Sequence, residues 1–430
     1  MVLRPQRPLP SFTIINRYSH RIQELSLRED GCSVLLLKRS VYEVNMLPNL
    51  KVLSWQPVRP HSLALIQPLL GPQLLSFNLT LDRGTRDHKG LRPFLKTSPS
   101  RCPALKAIGF HISSTGEKEA VKALFSRAIC ALRKLDCLAV HGALLDDVAL
   151  RQLVLSPQFT HLLLATMPSQ LDDLSLLRSD TPFPSARRIS LSGPDISTIT
   201  GLLRSEGQAF HTAELHLGVV PIPHLTFCFL TALASCTRQS SLHSITLDRT
   251  ISSIRSDDGQ LENDDYILSY DILQPLALFH NLRGLDVDLK NPISLNDDEL
   301  ADLARGWPLL QFLRLASRNE LSARNITLRG LLLIVAACPE LGRVDLCLDA
   351  REVPMSGEGM DVSSVVVTEL NFSGSPVDDP RRVAMFLLKH LASISSPCLG
   401  DVYAMQWVKV GWYLDHRDSL VVPVSSGVKY

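Results

Sequence analysis

A short apolar motif recurs along the whole chain of 430 residues, with a mean spacing of about 29 residues. Its form is an apolar residue, two variable residues, a second apolar residue, one variable residue and a third apolar residue. Clear copies read LKAIGF from Leu105, LRGLDV from Leu282 and LQFLRL from Leu310. A unit of this length holds one strand and one helix, and such units bury a continuous core by stacking on their neighbours. The repeat therefore favours a stack of similar units over a closed domain.

The middle apolar residue of each copy is its predicted centre, which should be buried. The thirteen predicted centres are Leu25, Leu53, Phe77, Ile108, Leu138, Leu163, Ile189, Leu215, Ile245, Leu285, Leu313, Val344 and Leu370. Proline lies shortly before several copies, as in CPAL before Ile108 and CPEL before Val344. Because proline cannot continue a helix, it marks the point where the chain leaves a helix and enters a strand.

The intervals between copies carry the spacing of helices. Val121, Leu124, Phe125, Ala128 and Ile129 fall on one helical face. Elsewhere, Asn296 precedes Glu299 by three residues, as in a capping box, and Asp379 precedes Pro380, as at a helix start. The alternation of strands and helices predicts an α/β leucine-rich-repeat solenoid. This is a curved horseshoe with about 12–13 parallel strands on the concave face and helices on the convex face.

The repeat also sets the expected domain organisation. We expect an entry segment over residues 1–20, the solenoid over 21–392, and a C-terminal cap and tail over 393–430. The widest step between centres contains a polar, acidic stretch at about 251–266, which predicts a surface loop inserted in one repeat. After Leu370 the motif fades, and Trp407, Val408, Val410 and Trp412 form an apolar group that we expect to cover the last repeat.

Composition and charge disfavour several classes of partner. Lys and Arg number 44 against 43 Asp and Glu, so the formal net charge is +1 and no global field attracts nucleic acid. No apolar stretch is long enough for a membrane-spanning helix. The first ten residues lack the apolar core of a secretory signal, and the nine cysteines form no C-x-x-C pair. We therefore expect a cytoplasmic or nuclear protein that binds neither nucleic acid nor membrane.

The sequence holds no motif for catalysis or for a cofactor. Nucleophile-elbow, phosphate-loop, dinucleotide-binding and zinc-protease patterns are all missing. The densest histidine group, His211, His216 and His224, has no cysteine cluster beside it, although structural zinc needs about four converging ligands. Four Asp–Asp pairs lie near predicted helix starts, where they complement the helix dipole. The sequence predicts a non-enzymatic protein without catalytic residues, metal or cofactor.

The remaining candidate site is the concave face of the sheet. Strand residues that alternate with the buried centres point to this face, and in the last repeats many of them are charged or polar. The candidate protein-binding residues are Arg283, Asp286, Asp288, Gln311, Arg314, Arg343, Asp345 and Glu369. A mixture of both charges suits a protein partner better than a polyanion. We also expect Arg314 and Arg343 to lie side by side in adjacent repeats, balanced by solvent, by Asp286 and Asp345, or by an acidic partner.

Several segments resemble one known family. Asp297-Asp298 through Leu310 and Thr327-Leu328 through Leu341 resemble the last repeats of fungal, mushroom-type F-box proteins with leucine-rich repeats. The segments from Leu370 to Pro380 and from Phe12 to Leu25 are similar to that group as well. The resemblance is specific over roughly residues 270–395. It implies a substrate-recognition module of a ubiquitin ligase, in which an F-box binds the adaptor subunit and the repeats select the protein target.

The position of the F-box leaves two functions open. The family places this helical motif before the repeats, but the first predicted strand of this chain already begins near Ile22. We therefore expect no F-box within the sequence, and we expect an adaptor subunit as partner only if an F-box lies upstream. The alternative is a stand-alone leucine-rich-repeat scaffold with no role in ubiquitin transfer.

Overall fold

A computed structural model of the protein describes residues 18–28, 46–56, 66–81, 91–112, 118–141, 145–164, 185–193, 196–197, 200, 210–217, 220–236, 240–249, 266–316, 325–354, 367–372, 374–391 and 404–416. The chain divides into two compact units, Met1–Pro194 and Asp195–Tyr430. Most of the predicted insertion at 251–266 lies outside the described residues, as does the entry segment up to residue 17. The domain boundaries stay predictions.

The first unit is built from parallel strands that pair in chain order. They are β1 (Glu24–Arg28), β2 (Val52–Gln56), β3 (Ser76–Leu81), β4 (Ala107–Ile112), β5 (Cys137–His141), β6 (His161–Leu164) and β7 (Arg188–Gly193). The helices are α1 (Leu91–Arg101), α2 (Lys118–Ala131) and α3 (Asp147–Leu155), with a 3-10 turn at Ser19–Arg21. Each strand pairs with the next in parallel, as strand–helix repeats require.

The second unit continues the same order of elements. Its repeat strands are β8 (Thr212–Leu217), β9 (Ser244–Arg249), β11 (Gly284–Asp288), β13 (Phe312–Leu315), β14 (Arg343–Leu346) and β15 (Glu369–Asn371). Two short strands, β10 (Leu268–Ser269) and β12 (Ile293–Ser294), form a separate parallel pair. The helices are α4 (Pro223–Cys236), α5 (Tyr270–Leu273), α6 (Asp297–Arg305), α7 (Leu328–Ala337), α8 (Pro380–His390) and α9 (Ala404–Asp415), with a 3-10 helix at Gln274–Leu278. Within the described residues, the two units hold thirteen repeat strands, as the motif count predicts.

Strand register confirms eleven of the thirteen predicted centres and corrects two. Ten of the eleven are buried as predicted, and Leu25 in β1 is only half-buried. Leu138 pairs with Leu162, so the centre of β6 is Leu162 and the prediction of Leu163 was wrong. Ala213 pairs with Ile245, so the centre of β8 is Ala213 and not Leu215. Three consecutive leucines in β6, and apolar residues at every second position of β8, leave the motif ambiguous there. A one-residue shift exchanges the two faces of a strand, whereas a two-residue shift does not.

Aromatic packing shows how helices cover the buried side of the first unit's sheet. The Phe77 ring in β3 lies 4.8 Å from the Phe94 ring in α1, and Phe110 in β4 lies 4.8 Å from Phe125 in α2. All four rings are fully buried. Rings in this range of separations add to the stabilisation that comes from burying apolar area. The helix layer and the buried strand face therefore share one core in this unit.

The same turn connects several of the described helices to the strands that follow them. Leu105 N–H donates to Cys102 O at 3.1 Å, and Leu341 N–H donates to Cys338 O at 3.0 Å, with a proline inside each turn. The leucine that closes each turn is the first apolar residue of the next motif, and it is buried. The predicted role of proline before the strands is confirmed at these turns.

The predicted helix starts are confirmed by side-chain caps. Asn296 accepts hydrogen bonds from the N–H groups of Asp298 and Glu299, and Glu299 accepts one from Asn296 N–H, which completes a capping box. Asp379 accepts hydrogen bonds from the N–H groups at the start of α8. Asp297 also links two repeats, because its carboxylate accepts hydrogen bonds from the N–H and hydroxyl groups of Thr327 at 2.7 Å each.

The C-terminal helix packs on the last repeat through one face. In α9, the Trp407 indole N–H donates to Ser375 O at 2.9 Å, and its ring lies 4.9 Å from the Phe372 ring. Val410 is also buried, but Val408 and Trp412 are exposed, so only half of the predicted apolar group faces the core. Residues 408 and 412 lie on the opposite side of the helix from residues 407 and 410. The prediction treated the four residues as one group because they are close together in the sequence. A capping role for residues 393–430 stays a prediction.

Candidate functional site

The strand face of the second unit consists of the residues that alternate with the buried centres. Three rows of side chains cross it in register. Directly after the centres the row is Glu214, Thr246, Asp286, Arg314, Asp345 and Asn371. Before the centres it is Thr212, Ser244, Gly284, Phe312, Arg343 and Glu369, and the third row begins His216, Asp248 and Asp288. Charged residues therefore concentrate on neighbouring strands of one face.

Arg314 is the centre of an ion-pair network on this face. Its guanidinium lies 2.7 Å from Asp288 Oδ2, 3.5 Å from Asp286 Oδ2 and 3.2 Å from Asp345 Oδ2. Strand pairing produces this arrangement, because Asp286, Arg314 and Asp345 occupy matching positions on β11, β13 and β14. The Arg314 side chain is 32% exposed. It is therefore largely committed to contacts within the protein.

Asp288 is the most deeply buried carboxylate of the network, with 7% of its side chain exposed. Its second oxygen accepts a hydrogen bond from Lys290 Nζ at 2.7 Å. Lys290 has a φ of 66°, a left-handed conformation that is uncommon for residues other than glycine. That turn brings the ammonium group back to the carboxylate two residues earlier, so Asp288 has two cationic partners.

Burial shifts the titration of the network. It raises the pKa of Asp286 above the ordinary value of an aspartate, although the positive charge of Arg314 opposes the shift. Burial likewise raises the pKa of Asp345, and Arg314 and a hydrogen bond with Asn371 oppose it. Desolvation disfavours the charged form of Arg314, but the three carboxylates outweigh it and raise the pKa of this side chain. Arg314 therefore stays positive at neutral pH between its three carboxylate partners.

A second, more exposed ion pair lies at the end of the face. Arg343 Nε is 3.3 Å from Glu369 Oε2, and both side chains are about half exposed, at 54% and 52%. The Arg343 guanidinium also lies 5.2 Å from the centre of the Phe312 ring, within cation–π range. Unlike the Arg314 network, this pair remains accessible to a partner.

The structure corrects three of the sequence-based site assignments. Arg314 pairs in register with Asp345, and Arg343 pairs with Phe312, so the two arginines do not lie side by side as predicted. The reason is that Arg314 follows its centre whereas Arg343 precedes its own. Arg283 and Gln311 lie just before β11 and β13 and not on the strand face, and Gln311 donates a hydrogen bond to Glu340 at 3.0 Å. The other six predicted residues share the strand face.

Sequence reasoning missed four residues of this region, among them Glu214 in the row directly after the centres. Lys290 and His216 were not considered for the face, and Asp248 lies directly beside Asp288 in the register. The Asp248 carboxylate is 39% exposed and lies 3.6 Å from His216 Nδ1. Aligning the centres Ile245 and Leu285 would have found it, because both aspartates follow their centres by three residues.

The strand face of the first unit has a different character. The row after its centres contains no charged side chain and reads Ser26, Ser54, Asn78, Gly109, Ala139, Leu163 and Ser190. Gly109 leaves room for the Asn78 side chain in this row, because a Cβ atom there would lie 2.1 Å from Asn78 Oδ1 in its present position. The other rows of this face carry Glu24, Arg28 and Arg188, so the excess of carboxylates belongs to the second unit.

A cleft of about 970 Å³ opens on the helix side of the second unit, among residues that the repeat pattern did not single out. It lies between α4 and the 3-10 helix and is lined by both apolar and polar side chains, among them Phe227, Leu278, Ser235 and His280. At one edge the Tyr270 hydroxyl donates to Asp302, and this hydrogen bond raises the pKa of Tyr270. In its lining, the Ser235 hydroxyl donates to Thr231 O at 2.8 Å, and His280 Nδ1 lies 3.1 Å from Gly306 O.

The described residues contain neither a cluster of metal ligands nor a membrane-spanning helix. No three His, Cys, Asp or Glu side chains in that part of the chain converge as metal ligands would. None of the helices described above combines the length and the apolar character that crossing a bilayer requires.

Comparison with known proteins finds similar structures but no similar sequences. No protein-family model and no curated protein matches the chain. An internalin from Listeria monocytogenes is 13% identical with a TM-score of 0.39, covering 90% of this chain and 89% of its own. The structure of the Rad7–Elc1 complex in yeast is 12% identical with a TM-score of 0.44, and the match covers 80% of this chain and 80% of the other. The TLR13–ssRNA13 complex is 13% identical with a TM-score of 0.38, and the match covers 83% of this chain and 41% of the other. At these TM-scores the fold assignment depends on the strand order and register described above. The chain is an α/β leucine-rich-repeat solenoid.

Proposed function

We propose that this protein is a non-catalytic interaction module whose strand face in the second unit binds a protein target. The observation that carries the proposal is the register of β8–β15, which brings charged side chains of six strands onto one face. Part of that face is fixed by internal ion pairs, and Arg343 and Glu369 at its end are half exposed. A preorganised polar face of this kind suits recognition, since little side-chain entropy is lost on binding.

The finer proposal is that the module selects substrates for a ubiquitin ligase of the F-box type. It is supported by the resemblance of residues 270–395 to the fungal F-box proteins with leucine-rich repeats. Because six carboxylates face two arginines on this surface, a polyanion such as RNA fits it poorly. The same proposal assigns the protein to the cytoplasm or nucleus, where the seven described cysteines, all free thiols, stay reduced.

The alternative is a leucine-rich-repeat scaffold without a ubiquitin role. Sequencing the full transcript distinguishes the two functions. An in-frame F-box upstream of Met1, together with co-purification of the adaptor subunit by the product of that transcript, supports the ligase function. A transcript that encodes no F-box, and a product that recovers no adaptor, support the scaffold.

A pair of matched charge reversals tests the strand face itself. Arg343 pairs with Glu369 at 3.3 Å on the strand face, and Arg329 pairs with Asp298 at 3.2 Å on the helix side. We expect Arg343→Glu to lower recovery of bound proteins from an extract of the source organism, whereas Arg329→Glu leaves it unchanged. Circular-dichroism melts of both variants control for folding. Equal recovery by wild type and Arg343→Glu would contradict the proposal.

A further inference from the structure

A cysteine and a histidine form a close pair on helix α4 of the second unit. His224 and Cys228 are four residues apart, so they lie on the same face of the helix. The Cys228 Sγ atom is 3.6 Å from His224 Nε2, which is within hydrogen-bonding distance for sulfur. His224 is exposed and Cys228 is half-buried, so solvent reaches both side chains. A nucleophile and an adjacent imidazole are the combination that activates a thiol.

The other six cysteines of the described residues have less favourable surroundings for reaction. Burial raises the pKa of four of these thiols to about 11 or 12, namely those of Cys102, Cys236, Cys338 and Cys347. Burial also raises the pKa of Cys130 and Cys137, and a nearby aspartate adds to each shift. Because the thiolate is the attacking species, thiols that stay protonated at neutral pH react slowly. Cys228 differs from this group through the imidazole beside it.

The Cys228–His224 pair borders the cleft on the helix side. Thr231 and Ser235 follow Cys228 by three and seven residues, so the three side chains lie on one stripe of α4. Thr231 and Ser235 line the cleft of about 970 Å³, as does Phe227 next to Cys228. A cleft of this size can hold a small organic molecule. A reagent that reacts with Cys228 therefore has room beside the thiol.

We propose that Cys228 is a modification site that forms mixed disulfides with small disulfides such as glutathione disulfide. The Cys228 thiolate attacks one sulfur of the disulfide and forms the new S–S bond. The original S–S bond breaks, and one glutathione leaves as a thiolate, which takes up the proton that Cys228 has lost. Cys228 is thereby oxidised and the small disulfide is reduced. His224 stabilises the attacking thiolate by donating a hydrogen bond from its ring N–H to Sγ.

This inference goes beyond the proposed function, because α4 lies on the helix side of the unit and not on the strand face. Incubation of the full chain with glutathione disulfide, followed by peptide mass spectrometry, tests it. Cys130 is the internal control, because it is also a half-buried helical cysteine, but the charge near it is that of Asp146. We expect modification of Cys228 to be roughly tenfold faster than that of Cys130 at about pH 7. This comparison needs no variant, and equal rates at the two cysteines would overturn the proposal.

The variant His224→Gln tests the role of the imidazole. His224 is exposed, so we expect the fold to be unchanged, which a circular-dichroism melt checks. The variant should slow modification of Cys228 by roughly fivefold at about pH 7 and leave that of Cys130 unaffected. At about pH 9.5, where an ordinary thiol is ionised without help, wild type and variant should react at similar rates. Equal rates at the lower pH, or a slower variant at both pH values, would show that His224 does not stabilise the thiolate.

Discussion

At the scale of single residues, the Arg314 network shows how neighbouring repeats are joined through their strand face. Three aspartates from β11 and β14 converge on one guanidinium. The sequence allowed prediction of most members, because they follow or precede buried centres at fixed offsets. It did not reveal that Arg314 is a structural residue, since the depth of burial depends on which side chains stand on the adjacent strands. Arg314 was predicted to lie beside Arg343. In the structure it lies between Asp286 and Asp345, so negative and positive side chains alternate across the strands.

Removing Arg314 should destabilise the protein at neutral pH. We expect Arg314→Ala to lower the free energy of unfolding by about 1–3 kcal/mol, because it leaves largely buried carboxylates without their shared partner. The exposed Arg343→Ala variant should cost less than about 1 kcal/mol. Urea denaturation of both variants measures the difference. Equal costs for the two variants would show that Arg314 is an ordinary surface residue.

The raised pKa values of Asp286 and Asp345 predict a specific pH dependence. In the folded protein these groups bind protons more tightly than in the unfolded chain, where the pKa is about 3.9. Their contribution to stability is therefore fully present below that pH, and it is lost as the pH rises through the folded pKa values. Unfolding free energies of wild type and Asp286→Asn/Asp345→Asn should be compared from pH 4 to 7. The free energy of unfolding of wild type relative to the double variant should fall as the pH rises. A difference in unfolding free energy that stays constant with pH would refute the raised pKa values of Asp286 and Asp345.

At the scale of elements, helix caps and turns were predicted well from the sequence, whereas the register of the strands was predicted less reliably. The capping box at Asn296 and the start of α8 depend on residues three or fewer positions apart, so local chemistry decides them. The centres of β6 and β8 depend on pairing with other strands, and runs of leucine or alternating apolar residues permit more than one choice. Packing against the neighbouring repeat then selects the register.

Gly306 tests the close packing of the helix layer. A Cβ atom at this position would lie 2.4 Å from Ala277 O, which is a backbone atom and cannot move aside easily. We expect Gly306→Ala to destabilise the protein by about 1–3 kcal/mol through steric overlap. Gly342→Ala is the control, because its nearest atom would be 3.8 Å away. Thermal melts that rank the two variants in the opposite order would contradict this packing.

Two tryptophans of α9 test whether the helix covers the last repeat. Trp407 is buried with its indole N–H bonded to Ser375 O, whereas half of Trp412 is exposed. We expect Trp407→Ala to cost about 3–5 kcal/mol and to promote aggregation, because it uncovers the core beside Phe372. Trp412→Ala should be nearly neutral for stability. If the two variants unfold at the same urea concentration, α9 does not cover the last repeat.

At the scale of the whole molecule, the repeat predicted the fold class and the number of strands but not the distribution of charge. The first unit's strand face is largely uncharged, and the second unit's carries six carboxylates. That contrast appears only when strands are placed in register, because residues far apart in sequence form each row. The helix-side cleft was missed for the same reason, since its lining comes from three separate segments.

Site-specific photo-crosslinking is the most direct test of the central claim, that the strand face of the second unit binds a protein. A photoreactive phenylalanine analogue replaces Thr246, which lies between Glu214 and Asp286 in the register, or the exposed Met385 on helix α8 as a control. After irradiation in an extract of the source organism, we expect protein crosslinks from position 246 and none of the same mass from position 385. Crosslinks from position 385 alone, or from neither position, would contradict the account.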